Sequence, residues 1–389
     1  MTTLAAATEV APRQGRLGAL SVGDVALVVA SFAVSRSLLI LVGLYTLTTH
    51  ASWPGAGPLL PDLFVRWDSQ WYIGLAQSGY STAQIGGDAG ATNYAFYPLY
   101  PALMRLLASA TGVSLAMAGV LISNACFLAS LFVIFLLAQS WSADKAVARM
   151  TVVLLCLVPE GFIFSAVYTE SLFLLLSSAA MLLFERKQNF AAGLCTALSS
   201  AVRSNGIFVA LYLGLNLLRE RGWRRTLRFW DEPERYLPLA MAPLGLFAFW
   251  WISMLSVGDA FAQKSTVLHG WAWHADWPWN NIVHAFLRSD PRMPFFMTAS
   301  LVMFGISLTL LRRTTWPLFA YCAINFLLYW TGTNASSLLR YCIVLFPILF
   351  GLAWWLRGRL LPSAAVLIVF TTFGAMLMAL WALASPWVL

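Results

Sequence analysis

The chain has 389 residues; 60% are hydrophobic and only 10% are charged. A soluble domain carries roughly 25% charged residues, so this composition excludes an ordinary soluble enzyme and points to a polytopic membrane protein, because charge is costly in hydrocarbon. The net charge of +8 is not a nucleic-acid signature, since the basic residues sit at the ends of apolar segments rather than on one soluble face.

Residues 1–21 read as a cytoplasmic tail. The apolar run that follows is longer than a signal-peptide core, so it reads as an uncleaved first span. A spanning helix needs about 20 mostly apolar residues, and 22–47 supplies them. Residues 48–112 then form a first outer loop with interfacial helices. Within it, "FYPLYPALMRLLASATG" (96–112) is amphipathic, broken by Pro98 and Pro101, and suited to the membrane surface. Spans follow at 113–139, 149–167 and 169–185. The run 190–218 is too long for one span and short for two; "RSNG" (203–206) interrupts it and predicts a hairpin. A further span at 236–256 leads to a second large outer loop, 257–294. The last spans fit 295–311, 315–331, 338–356 and 362–386.

The expected fold is an all-α polytopic membrane protein with about eleven crossings, residues 1–389 forming one integral membrane domain. With the N-terminus cytoplasmic, cytoplasmic segments hold sixteen of the 24 basic residues, which satisfies the positive-inside rule. The hairpin is required, because otherwise "RERGWRRTLR" (219–228) lands outside. The C-terminus is then outside. Cys126, Cys156, Cys195, Cys322 and Cys342 all lie in apolar runs without metal-ligand spacing and read as small buried hydrophobes.

This topology gathers the unusual polar residues on the outer side. In "RWDSQWY" (66–72), Asp68 lies beside Trp67 and Trp71. It reads either as a solvated loop residue among aromatic anchors or as a partly desolvated general base. Arg66 is open between a phosphate contact and a snorkelling anchor. In "PEGFIFSAVYTES" (159–171), Pro159 ends a helix and leaves Glu160 near the outer leaflet, where an acid is a functional-site candidate. Thr169 fits a helix N-cap, and Glu170 fits either the positive helix end or a functional role. Tyr168 precedes them. Arg203 and Asn205 lie at a break inside apolar sequence; such an Arg needs an anion, either a carboxylate or a phosphate. Arg340 and Tyr341 open a span in "SSLLRYCIVLFP" (336–347), where Arg340 either snorkels or binds an anion. Lys264, in the second outer loop, suits a phosphate as a point charge. Trp271, Trp273, Trp277 and Trp279 suit an interfacial belt, or stacking on sugar faces. His269, His274 and Asp276 match no strong metal motif. Arg36, in the first span, pairs with an acid or faces the site. "NAS" (334–336) is a formal glycosylation sequon.

Six stretches occur in one order between residues 64 and 347: "FVRWDSQWYIGLAQSGY", "YAFYPLYPALMRLL", "SAVYTESLFLLLS", "AVRSNG", "AFAQKS…GW" and "LLRYCIVLFPI". Together they resemble the PIG-V family, the GPI mannosyltransferase 2-like membrane glycosyltransferases. The resemblance implies a GT-C-type fold with its active site on the non-cytoplasmic face and a polyprenyl-phosphate sugar donor, most simply mannose. It implies that Asp68 is the catalytic base. The compact loops suggest a prokaryotic member, in the bacterial plasma membrane with an extracytoplasmic site. The family's eukaryotic acceptor is not carried over, and the acceptor stays an unknown glycan, lipid or protein.

On this reading Arg203, Lys264 and Arg340 hold the donor phosphate, where charge develops as the sugar departs. Asp68 takes the proton from the attacking hydroxyl, giving inversion without a second carboxylic acid. Arg66, Trp67, Glu160, Tyr168, Glu170, Asn205 and Tyr341 support the site or meet the acceptor. No cofactor or metal is implied, though a divalent ion is left open; partners are the lipid-linked donor and membrane lipids. The alternative is a transporter or flippase of a lipid-linked saccharide, with polar groups along a route through the membrane.

Overall fold

The computed structural model describes residues 20–50, 60–81, 91–271, 273–333 and 335–388. The expected tail 1–21 lies almost wholly outside these residues, as do parts of the first outer loop and Asn334 of the sequon. The described residues are helical, with a single antiparallel bridge between Ala275 and Gly332. In chain order the helices are α1 (Val22–His50), α2 (Leu60–Leu63), α3 (Ser69–Ser78), α4 (Leu99–Thr111), α5 (Leu115–Ser142), α6 (Lys145–Leu157), α7 (Glu170–Glu185), α8 (Asn189–Val202) and α9 (Phe208–Arg221). Then come α10 (Trp223–Thr226), α11 (Leu237–Met241), α12 (Leu244–Val257), α13 (Ala262–Gly270), α14 (Pro278–Leu287), α15 (Arg292–Ser307), α16 (Trp316–Trp330), α17 (Leu338–Ile343), α18 (Pro347–Leu356) and α19 (Leu360–Ala382).

Among the described residues, five segments are long and apolar enough to cross a membrane: Val22–His50, Leu115–Ser142, Pro233–Val257, Arg292–Leu310 and Leu360–Ala382. They show large apolar side chains on their outer faces, such as Leu41, Trp251, Val302 and Ile368, the pattern of helices bathed in lipid. The chain is an integral membrane protein of helical class. Between these long helices lies a densely packed centre built on α5, α6, α7 and α18, where Phe127, Phe135, Phe164, Phe173 and Phe350 are fully buried.

Three expectations need correction. The span 149–167 does not exist as one helix: α6 stops at Leu157, and residues 158–169 form a buried link containing a short 3-10 turn, Gly161–Phe164. Pro159 has no N–H for a helix to use, and Glu160, just before the 3-10 turn, adopts a left-handed backbone (φ 63°). The span 338–356 is likewise two helices, α17 and α18, because the break falls just before Pro347, the first residue of α18. In 96–112 the prolines start a helix rather than break one. Pro98 precedes α4 and Pro101 lies in its first turn, where the missing N–H costs nothing. Tyr100, Pro101 and Met104 form the buried face of α4.

The hairpin at 190–218 is present as α8 and α9. Arg203 takes an extended backbone after α8, and beside the turn it reaches Glu170 at the start of α7. Tyr212, on α9, bonds Glu185 at the far end of α7. The chain therefore reverses at 203–206. Gly245 of α12 lets α8 approach closely: a Cβ there would sit 2.1 Å from the Ala197 carbonyl oxygen.

Arg36 neither pairs with an acid nor joins the charged site. Its Nη1 donates to the Gly161 carbonyl at 2.7 Å and to Ser165 Oγ at 3.1 Å, and its Nη2 donates to the Cys156 carbonyl at 3.2 Å. These carbonyls belong to the end of α6 and the link after it, where helix partners have run out. Arg36 thus satisfies the backbone that leads to Glu160. At the opposite end of the molecule, Asp24 of α1 binds Lys145 at 2.9 Å and Arg149 at 2.7 Å, and Asp144 binds Arg357 at 2.6 Å.

Candidate active site

Four segments far apart in sequence meet at one end of the helix packing: residues 66–72, 160–170, 203–205 and 337–341. Asp68 sits at the start of α3. Its backbone N–H donates to the Tyr168 hydroxyl at 3.1 Å, and that hydroxyl donates to the Arg66 carbonyl at 3.2 Å. The Phe64 carbonyl accepts from the Val167 N–H at 3.1 Å, and the Leu63 carbonyl from the Trp381 indole at 2.8 Å. The loop that carries Asp68 is thus pinned to the buried link and to α19. Trp67, just before Asp68, is held at φ 50°, which costs a side-chain-bearing residue about 1–3 kcal/mol. At the other end of α3, Arg105 of α4 donates to the Ala76 carbonyl at 2.5 Å and the Gln77 carbonyl at 3.0 Å.

The charges form a chain. Arg340 Nη1 meets Asp68 Oδ2 at 2.8 Å, Arg340 Nε lies 3.6 Å from Glu170 Oε1, and Arg203 Nη1 meets the same Glu170 oxygen at 2.6 Å. Glu170 is 1% exposed and Asp68 retains 21% of its side-chain surface. Asp68 Oδ1 makes no hydrogen bond among the described residues. One oxygen is oriented and the other is open, the arrangement a proton acceptor needs. Tyr168 and Tyr341 flank the Arg340 guanidinium at 5.0 and 5.2 Å, and Tyr341 also lies 5.1 Å from that of Arg203. Asn205 donates to Asn325 Oδ1 at 2.9 Å and to the Tyr329 hydroxyl at 2.8 Å, which anchors the 203–206 turn on α16.

Glu160 lies behind this chain. Both its oxygens are buried without a hydrogen-bond partner, and burial pushes its pKa well above the usual carboxylate range. Thr169 does not cap α7: its backbone is helical and its side chain makes no capping bond. Its hydroxyl instead lies 3.5 Å from that of Tyr72. Glu170 keeps its place in the first turn of α7 but spends one oxygen on two guanidiniums rather than on capping.

The Arg66 side chain turns to backbone. It donates to the carbonyls of Asp62, Val65 and Ala382. Lys264 stands apart on exposed α13, with no carboxylate partner among the described residues. Its neighbour Gln263 accepts from Tyr97 at 3.4 Å, so α13 docks beside the site through 93–97. Trp271 packs at 5.5 Å on Trp71 and Trp277 stacks at 5.0 Å on Trp279. Trp273 covers Gly332. His269, His274 and Asp276 do not converge; Asp276 accepts from the Trp277 N–H at 2.6 Å and from Asn280. Among the described residues no three His, Cys, Asp or Glu side chains could hold a metal.

Sequence reasoning missed Tyr72, Asn325 and Tyr329. Tyr72 had a signal, four residues after Asp68 and so on the same helix face. Its phenol is raised in pKa by burial, and its ring meets Phe96, Tyr100 and Tyr168 edge-on at 5.0, 5.5 and 6.1 Å. Asn325 and Tyr329 lie on an apolar helix with nothing to distinguish them.

The helices and this cluster define an integral membrane protein with a buried, charge-lined site at one end. Residues 57–228 match the family model for Mannosyltransferase (PIG-V). Curated relatives include GPI mannosyltransferase 2 of Schizosaccharomyces pombe, 29% identical over 39% of this chain and 32% of the relative. GPI alpha-1,6-mannosyltransferase 2 of Rattus norvegicus is 30% identical over 36% of this chain and 29% of the relative. The chain thus aligns with about a third of the length of these relatives. Among solved structures, ArnT from Cupriavidus metallidurans bound to undecaprenyl phosphate overlays with TM-score 0.49 and 12% identity, covering 91% of this chain and 76% of that one. The Archaeoglobus fulgidus oligosaccharyltransferase overlays with TM-score 0.46 and 13% identity, over 91% of this chain and 53% of that one.

Proposed function

We propose that this protein is a GT-C-type mannosyltransferase. It moves mannose from a polyprenyl-phosphate donor to an acceptor hydroxyl at the extracytoplasmic face, with inversion and with Asp68 as general base. The observation that carries this reading is the state of Asp68: one carboxylate oxygen held at 2.8 Å by Arg340, the other open, inside the segment that matches the mannosyltransferase family. The donor's tail lies in the bilayer and its phosphate reaches the charged end of the bundle. The phosphate leaves already ionised, so a single base suffices. Arg203 supplies a cationic group where charge grows on the departing phosphate, Lys264 extends that field from α13, and Arg340 pairs with Asp68. Glu170 and Asn205 hold Arg203 and its turn, and Tyr168 holds the loop of Asp68.

The test is transfer from polyprenyl-phosphate mannose by purified protein. General-base catalysis contributes about 10²–10⁴-fold, so Asp68→Asn should lose that much turnover while inserting normally. Near-normal turnover in a well-folded Asp68→Asn protein rules out Asp68 as the base.

A further inference from the structure

The two arginines of the cluster are not equivalent. Every nitrogen of Arg340 is committed or sealed. Nη1 serves Asp68, and Nη2 donates to Ser337 Oγ at 3.2 Å and the Tyr341 hydroxyl at 3.4 Å. Nε is buried without a hydrogen bond, beside Glu170. Tyrosine rings wall the guanidinium on two sides. Arg203 differs. Among the described residues only its Nη1 is engaged, by Glu170; its Nε and Nη2 make no hydrogen bond there and are not sealed from the surface. Its side chain is 14% exposed against 9% for Arg340.

Charge alone gives the same result. Asp68 and Glu170 balance Arg203 and Arg340, so an incoming phosphate must be met by donors that the carboxylates leave free. Planar guanidinium edges bind phosphate through paired N–H groups, and the open Nε–Nη2 edge of Arg203 is such a pair. Entry at Arg340 would instead strip Asp68 of its one charged partner among the described residues. Glu170, itself buried, meets both guanidiniums through the same oxygen and leaves the Arg203 Nε–Nη2 edge unengaged.

We propose, resting on the transferase reading, that the roles divide: Arg203 receives the donor phosphate through its free edge, whereas Arg340 is a positioning residue that holds Asp68 and does not bind the phosphate. Arg340 then governs turnover and Arg203 governs donor affinity.

Binding of farnesyl phosphate to the full-length protein in detergent tests this without any sugar transfer, with farnesol as the uncharged control. Arg203→Lys should weaken farnesyl phosphate by about tenfold or more, the loss of a charged hydrogen bond, and leave farnesol unchanged. Because a missing cation would strand Glu170, an Arg203→Gln/Glu170→Gln double variant provides a neutral pair that should bind as weakly. Arg340→Lys and Arg340→Gln should bind farnesyl phosphate within about twofold of the parent, and in the transfer assay lower kcat with KM nearly unchanged. Equal or greater loss of binding in the Arg340 variants overturns the division, as does full binding in both Arg203 variants. Either result leaves Asp68 to be judged separately by its own turnover assay.

Discussion

Glu160 is 1% exposed, and no donor reaches either of its oxygens. Burial is the chief cause of its raised pKa; Arg340 partly opposes it and Glu170 adds to it. A carboxyl raised on folding binds more protons in the folded chain than in the unfolded one. It therefore costs no stability below the ordinary Glu value of about 4.3, and the cost grows as pH rises from there toward the folded value. Glu160→Gln removes a group that ionises without changing its shape. The melting temperature of the variant in detergent, minus that of the parent, should be small near the ordinary Glu value and increase with pH. A difference that stays flat across pH would mean Glu160 is already charged in the folded protein. At this scale the sequence could flag Glu160 as a buried acid. It could not assign Arg66, whose partners are carbonyls including Ala382, 316 positions away.

Among the elements, the helix α8 and the link 158–169 determine whether the site assembles. α8 carries Arg203 at its end, and its path depends on the close crossing with α12 at Gly245. A methyl there would lie 2.1 Å from the Ala197 carbonyl oxygen and 2.4 Å from the Ala201 nitrogen, so backbone must move. Gly245→Ala should cost about 1–3 kcal/mol, the usual range for overpacking, and shift Arg203 enough to weaken farnesyl phosphate binding. A variant with parental melting temperature and binding would show that the crossing tolerates more than its geometry allows. The link depends on Arg36. Arg36→Met leaves the carbonyls of Cys156 and Gly161 without that donor, and charged hydrogen bonds contribute about 1.5–3 kcal/mol each. Thermal unfolding should therefore fall clearly below the parent, whereas an unchanged melting temperature would mean water or lipid headgroups replace the guanidinium. The existence of these elements was legible as hydrophobic runs. The break at 158–169 was legible only in part, since Pro159 marked an end but nothing in the pattern distinguished a buried link from the last turns of a spanning helix.

For the whole molecule, two groups of described ion pairs stand apart, besides those among Arg219, Glu220, Arg221, Glu232 and Arg235 and the local Arg292–Asp290 pair. Asp68, Glu170, Arg203 and Arg340 lie at one end, while Asp24, Lys145, Arg149, Asp144 and Arg357 lie at the other. The basic-residue distribution predicts that position 264 faces outward and position 225 faces the cytoplasm. Single cysteines at these positions, in a background with the five native cysteines replaced, should react with an impermeant thiol reagent from opposite sides of sealed vesicles. Labelling of both from one side would overturn the topology and, with it, the placement of the site.

By itself the sequence determined membrane class and the approximate helical segments, because these depend on local hydropathy. It also singled out Asp68, Glu170, Arg203 and Arg340, since ionisable residues in apolar surroundings stand out one at a time. Only the tertiary structure decided which charges face which. Arg340 holds Asp68 across 272 positions of chain, Glu170 bridges two arginines, Arg36 serves backbone carbonyls, and Arg203 keeps an open edge. Pairing at such separations depends on how helices pack, and hydrophobic packing carries no sequence-local record of the partner it brings near.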